Sequence, residues 1–175
     1  MTHTIKISLK IALLTLLLWG VLISVSQAAS LQVSPATGVY QVGSTFTVQV
    51  RVQTNGESIN ASEGTLKFNP NELSVVSVSR TSSIFNLWVA EPTFSNTAGT
   101  VTFSGGVPTG YTGAVGNVLS VTFRVKNAGS PRVSFTDGSV LANDGRGTNV
   151  LTAMNGGSYT AQATGAAPEP ERIVE

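Results

Sequence analysis

A chain of 175 residues with ten basic and nine acidic side chains is close to neutral, and only 11% of it is charged. That balance offers no electrostatic footprint for nucleic acid or for an anionic membrane surface. Cysteine is absent and histidine occurs once, as His3, which excludes disulfides, thiol chemistry and the common nitrogen–sulfur zinc sites.

The first 28 residues have the composition of a leader. Lys6 and Lys10 are followed by the apolar run 11–25, IALLTLLLWGVLISV, and then by Ser26-Gln27-Ala28, with small residues at the −3 and −1 positions of a cleavage site. A positive start, a short apolar core and a small-residue exit describe a secretory signal peptide. The apolar run is shorter than the roughly 20 residues that span a bilayer. No cysteine follows it, so lipoprotein attachment there is excluded. Cleavage near Ala28 predicts a secreted or cell-surface protein of 147 residues. Two of the ten basic residues leave with the leader, so eight then face nine acids, and His3 leaves too. The remaining chain lacks the usual general base near neutral pH.

From residue 30 the pattern becomes short alternating runs. In residues 44–52, STFTVQVRV, Phe46, Val48, Val50 and Val52 share one face and Thr45, Thr47, Gln49 and Arg51 the other, which predicts a half-buried antiparallel strand. Residues 61–68 read as a strand with Leu66 and Phe68 inward and Glu63, Thr65 and Lys67 outward. Its inward face also carries Ser62 and Gly64, small residues where bulky ones are expected. The run 73–78, LSVVSV, changes phase at Val75-Val76, which predicts a bulge or a strand covered on both sides.

Residues 82–92, SSIFNLWVAEP, contain Trp88, the one tryptophan beyond the leader. It is read either as a core or sheet-edge residue or as a contact for a partner. Val101 and Phe103 alternate with Thr100, Thr102 and Ser104; Leu119, Val121, Phe123 and Val125 alternate with Ser120, Thr122 and Arg124; Val133 and Phe135 begin a later run. Turn signals separate these runs at Asn55-Gly56, Asn69-Pro70, Asp137-Gly138, Asp144-Gly145 and Gly156-Gly157. The 143–149 segment, NDGRGTN, lacks the acid spacing and closing glutamate of an EF-hand and is read as a turn. The scattered glutamates suggest no catalytic carboxylate pair. Residues 162–175 lose the alternation and are rich in Ala, Pro and Glu, as in a solvated tail or linker. About nine strands without helices predict a nine-stranded antiparallel β-sandwich of jelly-roll topology over residues 29–161.

The ordered set of strands resembles the cohesin domain family. GVYQVGSTFTVQVRV (38–52) and INASEGTLKFNPNELSVVSVSR (59–80) are similar to the opening half of a cohesin, with the aromatic-then-Asn-Pro sequence at Phe68 to Pro70. GTVTFSGG (99–106), NVLSVTFRVKNAG (117–129) and RVSFTDGSVLANDG (132–145) follow its later strands. The resemblance implies a non-catalytic adhesion module, without a cofactor, that binds a dockerin-like protein through one flat sheet face, in polysaccharide-degrading or cell-surface assemblies. It also implies a partner contact five positions before the strand aromatic, at Glu63. Thr65 and Lys67 share that face, Thr102 and Ser104 join it if their strand lies alongside, and Trp88 is a further candidate. The alternative for this face is a merely solvated surface. The alternative function is a carbohydrate-binding module recognising a polysaccharide, since the superfamily contains such modules.

Overall fold

Period-two alternation puts a row of apolar side chains on one face of each strand, and two sheets cover those rows by packing face to face. The computed structural model describes residues 28–165; the expected leader up to residue 27 and the tail from residue 166 lie outside the described residues. Eleven strands follow in chain order: β1 (Ala29–Ser34), β2 (Thr37–Gln41), β3 (Thr45–Gln53), β4 (Ile59–Phe68), β5 (Leu73–Ser79), β6 (Leu87–Ser95), β7 (Thr100–Tyr111), β8 (Gly116–Val125), β9 (Arg132–Ala142), β10 (Leu151–Asn155) and β11 (Gly157–Gln162). A five-stranded sheet has the order β10-β1-β3-β8-β5, and a six-stranded sheet the order β2-β11-β9-β4-β7-β6.

The β-sandwich agrees with expectation, but the strand count and the purely antiparallel arrangement do not. Two segments each cross from one sheet to the other and so count twice. Between β1 and β2 stands Pro35, which has no N–H to continue a ladder. Between β10 and β11 stands Gly156, where a Cβ would lie 2.4 Å from the carbonyl oxygen of Val133. Counting each crossing segment as one strand recovers the nine expected. Both crossings also create parallel pairings, β1 with β10 and β2 with β11. The phase change in β5 is a bulge: the register with β8 shifts between Val75 and Ser77, leaving Val76 exposed.

Phe46, Val48 and Val50 of β3 stand opposite Phe123, Val121 and Leu119 of β8, and all six are buried. Leu66 and Phe68 of β4, Val101 and Phe103 of β7 and Val133 and Val140 of β9 meet them from the other sheet. The small inward residues of β4 have a packing reason. The Phe103 ring lies so close over Gly64 that a Cβ there would be 2.8 Å from it. Ser62 is buried and donates its hydroxyl to the Ser139 carbonyl at 2.8 Å. Gly64 therefore leaves room for an inward aromatic without pushing β4 outward.

At one end, Tyr40 stacks on Phe46 at 4.1 Å between ring centroids, and Tyr159 tilts against Phe46 at 4.9 Å. The Tyr159 hydroxyl donates to the Pro35 carbonyl at 2.9 Å, and burial pushes its pKa well above the usual 10.0. A phenol whose folded pKa is raised stabilises the fold fully below the unfolded pKa and loses that contribution as pH climbs past it. Wild-type stability is therefore expected to fall from about pH 10 upward, and more steeply than in Tyr159→Phe. Urea unfolding between pH 8 and 11 checks this; parallel pH profiles for the two proteins would remove Tyr159 as the cause.

Candidate functional site

The alternation that buries Ser62, Gly64, Leu66 and Phe68 sends Ala61, Glu63, Thr65 and Lys67 to the outer face of the six-stranded sheet. Strand β4 sits between β9 and β7, so residues opposite one another across these strands share that face. Three polar rows result. Ser139, Glu63, Ser104 and Ala90 form one; Asp137, Thr65, Thr102 and Thr93 the next; Ser134, Lys67, Thr100 and Ser95 the third. Four of the expected contact residues beyond Glu63 are thereby brought together with it: Thr65, Lys67, Thr102 and Ser104.

Short-range hydrogen bonds order parts of these rows. The Thr93 and Thr102 hydroxyls are 2.8 Å apart, and the Lys67 ammonium donates to the Ala98 carbonyl. The Ser139 hydroxyl reaches a Glu63 carboxylate oxygen at 3.4 Å, a weak contact at that length. Among the described residues the one ion pair is Arg80 with Glu91, at 2.9 Å. Glu63 and Asp137 thus stand on the open face without a cationic partner among those residues. Also among the described residues, no group of three His, Cys, Asp or Glu side chains gathers as metal ligands would.

A fourth row differs in character. Leu141, Ala61, Gly106 and Leu87 line up across β9, β4, β7 and β6, and with Val89 they floor a shallow hollow of about 440 Å³. Leu87 is 53% and Val89 79% exposed, in contrast to the core-facing residues. Gly106 keeps the floor low: a Cβ there would meet the Asn60 carbonyl oxygen at 2.4 Å. Bulges between Trp88 and Ala90 and between Ala90 and Thr93 bend β6 here. The face is therefore a polar plateau ending in an apolar depression.

Trp88 is not on this face. It pairs with Gly105, one residue out of phase with Ser104 and Gly106, and its ring packs on Gly105. Phe85 meets the ring edge-on at 5.9 Å between centroids, and the Arg80 guanidinium lies 5.5 Å from its centre. The tryptophan is half-buried against the core.

Sequence reasoning did not find Leu87, Val89 or Leu141. Each sits in an unbroken apolar run, Leu87-Trp88-Val89-Ala90 and Val140-Leu141-Ala142. Without alternation, nothing in such a run marks which residue turns outward. Asp137 and Ser139 follow from the register of β9 beside β4, a tertiary fact.

The sequence model of the cohesin domain matches residues 29–160. No match was found among curated proteins. Solved structures with the same fold include a cohesin–dockerin complex from Clostridium thermocellum, with 14% identity, TM-score 0.63, and coverage of 79% of this chain and 96% of that one. A type I cohesin from Pseudobacteroides cellulosolvens has 20% identity, TM-score 0.59, and coverage of 83% and 98%. A non-cellulosomal cohesin from the archaeon Archaeoglobus fulgidus has 18% identity, TM-score 0.57, and coverage of 77% and 91%.

Proposed function

The chain belongs to the cohesin domain family, and from that premise we propose that it is an exported, non-catalytic adhesion module that binds a dockerin-like protein. The binding surface is the outer face of β9, β4, β7 and β6. One observation carries this reading: an open plateau of Ser, Thr and carboxylates that make no ion pair among the described residues runs directly into an exposed apolar hollow. Interfaces combine these two features, an apolar anchor in a pocket and hydrogen-bonding groups around it. A merely solvated face has no reason to keep Leu87 and Val89 uncovered beside a low glycine floor.

The leader-like composition of the first 28 residues supports export, with the protein released or held at the cell surface. The solved cohesin–dockerin complex from Clostridium thermocellum supports the partner class. Trp88, tucked against the core, offers no stacking platform for a sugar, which places the polysaccharide-binding reading second.

Capture tests the proposal. Residues 29–175 are immobilised, the source organism's proteins are passed over them with calcium, and elution is done with chelator and then with soluble glycan. Dockerins resemble EF-hands and need calcium to fold, so release by chelator of a protein containing such a module is the expected result. Material released only by glycan would replace the adhesion reading with the carbohydrate-binding one. With the captured partner, Glu63→Ala is expected to cost at least ~1 kcal/mol of binding, as a buried interfacial contact does. Calorimetry giving an unchanged Kd would remove Glu63 from the interface.

A further inference from the structure

We propose that the partner lays a helix along β4, with an apolar side chain seated in the hollow and a lysine or arginine one turn away against Glu63. The inference rests on the adhesion reading above and specifies the chemistry and spacing of the partner's contacts.

Two depressions on this face run into each other. The apolar hollow continues into a second one of about 380 Å³, and Ala61, Val89, Gly105 and Leu141 line both. The second holds Glu63, flanked by Ser104 and Ser139. Among the described residues, Glu63 is the one charged side chain lining either depression. It is exposed and makes no ion pair among those residues, and the Ser139 hydroxyl reaches its carboxylate only at 3.4 Å. The cation on the same strand is engaged elsewhere: the Lys67 ammonium donates to the Ala98 carbonyl, in the turn between β6 and β7. The neighbouring 143–149 loop carries Asp144 and Arg146, one charge of each sign, and so leaves Glu63 unanswered.

The face also selects the partner's backbone. Strand β4 lies inside its sheet, paired with β9 on one side and β7 on the other, so what it offers a partner is side chains. A segment covering it must bring its own N–H and C=O groups already bonded, because unpaired ones are costly to bury. A helix meets this condition along its length; a lone extended segment does not. The spacing agrees. Ala61 on the hollow floor and Glu63 are two residues apart on β4, about 6.7 Å at the usual strand rise. Residues i and i+4 of a helix share a face about 6 Å apart. A helix along β4 with an apolar residue at i therefore brings residue i+4 over Glu63. Charge complementarity selects a cation there and rejects an acid, and exclusion of water by the docked helix strengthens both effects.

The test uses stapled helical peptides that share one leucine anchor and carry Lys, Gln or Glu four residues after it. A fourth carries the lysine one residue after the leucine, on another face, and a fifth is an extended peptide with leucine and lysine two residues apart. Each is titrated at low salt into the isotope-labelled chain of residues 29–175 and its variants, followed by amide chemical shifts. The helix with Lys at i+4 is expected to bind wild type about fivefold more tightly than the Gln helix, from one additional close charge pair. The Glu helix should bind most weakly, and the displaced lysine should gain nothing over Gln. Shifts should centre on Ala61, Glu63, Gly105 and Leu141. Glu63→Gln should abolish the preference for Lys over Gln, and Glu63→Lys should invert the order. Glu72→Lys, beyond the far end of β4, should leave the order unchanged. Equal affinities, shifts on another face, tightest binding by the extended peptide, or no binding by any peptide would overturn the inference. A chelator-released partner that binds wild type and Glu63→Lys equally would also overturn it, while leaving the adhesion reading intact. Failure of the adhesion reading shows separately, as an empty capture column.

Discussion

Replacing Phe123 with alanine is expected to lower the unfolding free energy by about 3–5 kcal/mol, the usual cost of removing a large buried aromatic. Its side chain is fully buried and joins the two sheets. It lies 5.7 Å from Phe46 on the neighbouring strand of its own sheet and 5.3 Å, edge-on, from Phe68 across the core. No disulfide is available to limit the loss, since the chain has no cysteine. Phe68 closes the strand that carries Glu63, Thr65 and Lys67, so a cavity beside it loosens the support of the docking face as well. Urea unfolding followed by Trp88 fluorescence measures the effect. A loss below about 1 kcal/mol would mean that the sheets close over the gap and that Phe123 is not central to the core.

The largest expected effect on binding belongs to Leu141→Asp. Leu141 points into the hollow and is half-buried there by its neighbours. A carboxylate at this position would have to be desolvated by the partner's apolar anchor with nothing to pair it. The expected loss is at least ~2 kcal/mol, about 30-fold in Kd, the scale of a central interface residue. Because Leu141 faces outward, the melting temperature should change little. Lys67→Ala provides the contrast: its ammonium is already held by the Ala98 carbonyl, and it sits three rows from the hollow, so its loss should cost under about 0.5 kcal/mol. Calorimetry with the captured partner distinguishes the two. Equal effects would place the energetic centre on the polar plateau instead of in the hollow.

These two variants divide along the line between what was legible in the sequence and what was not. Phe123 could be assigned to the core at once, because Leu119, Val121, Phe123 and Val125 alternate with polar residues over a whole strand. The same rule put Glu63, Thr65 and Lys67 on one outer face. Leu141 carried no such mark, being flanked by Val140 and Ala142. Trp88 was ambiguous for the same reason, and the β6 register with Gly105 turned it toward the core.

Strand alternation is a local property, since successive side chains in an extended chain must point to opposite sides. The sequence by itself therefore determined the all-β class, the inner and outer residue of most strands, and the identity of the β4 face. Which strands stand beside β4 depends on pairing between residues far apart in the chain. Only the tertiary structure placed Thr102 and Ser104 against Thr65 and Glu63, brought Leu141 level with Leu87, and set Gly145 and Gly147 beside the hollow. The bulges where β4 meets β9 and β6 meets β7 shift register by single residues, and the irregularity between β4 and β7 by three; one residue is enough to change which side chains meet. The polar plateau could thus be read from local chemistry, while the hollow exists only because four strands and a loop converge on it.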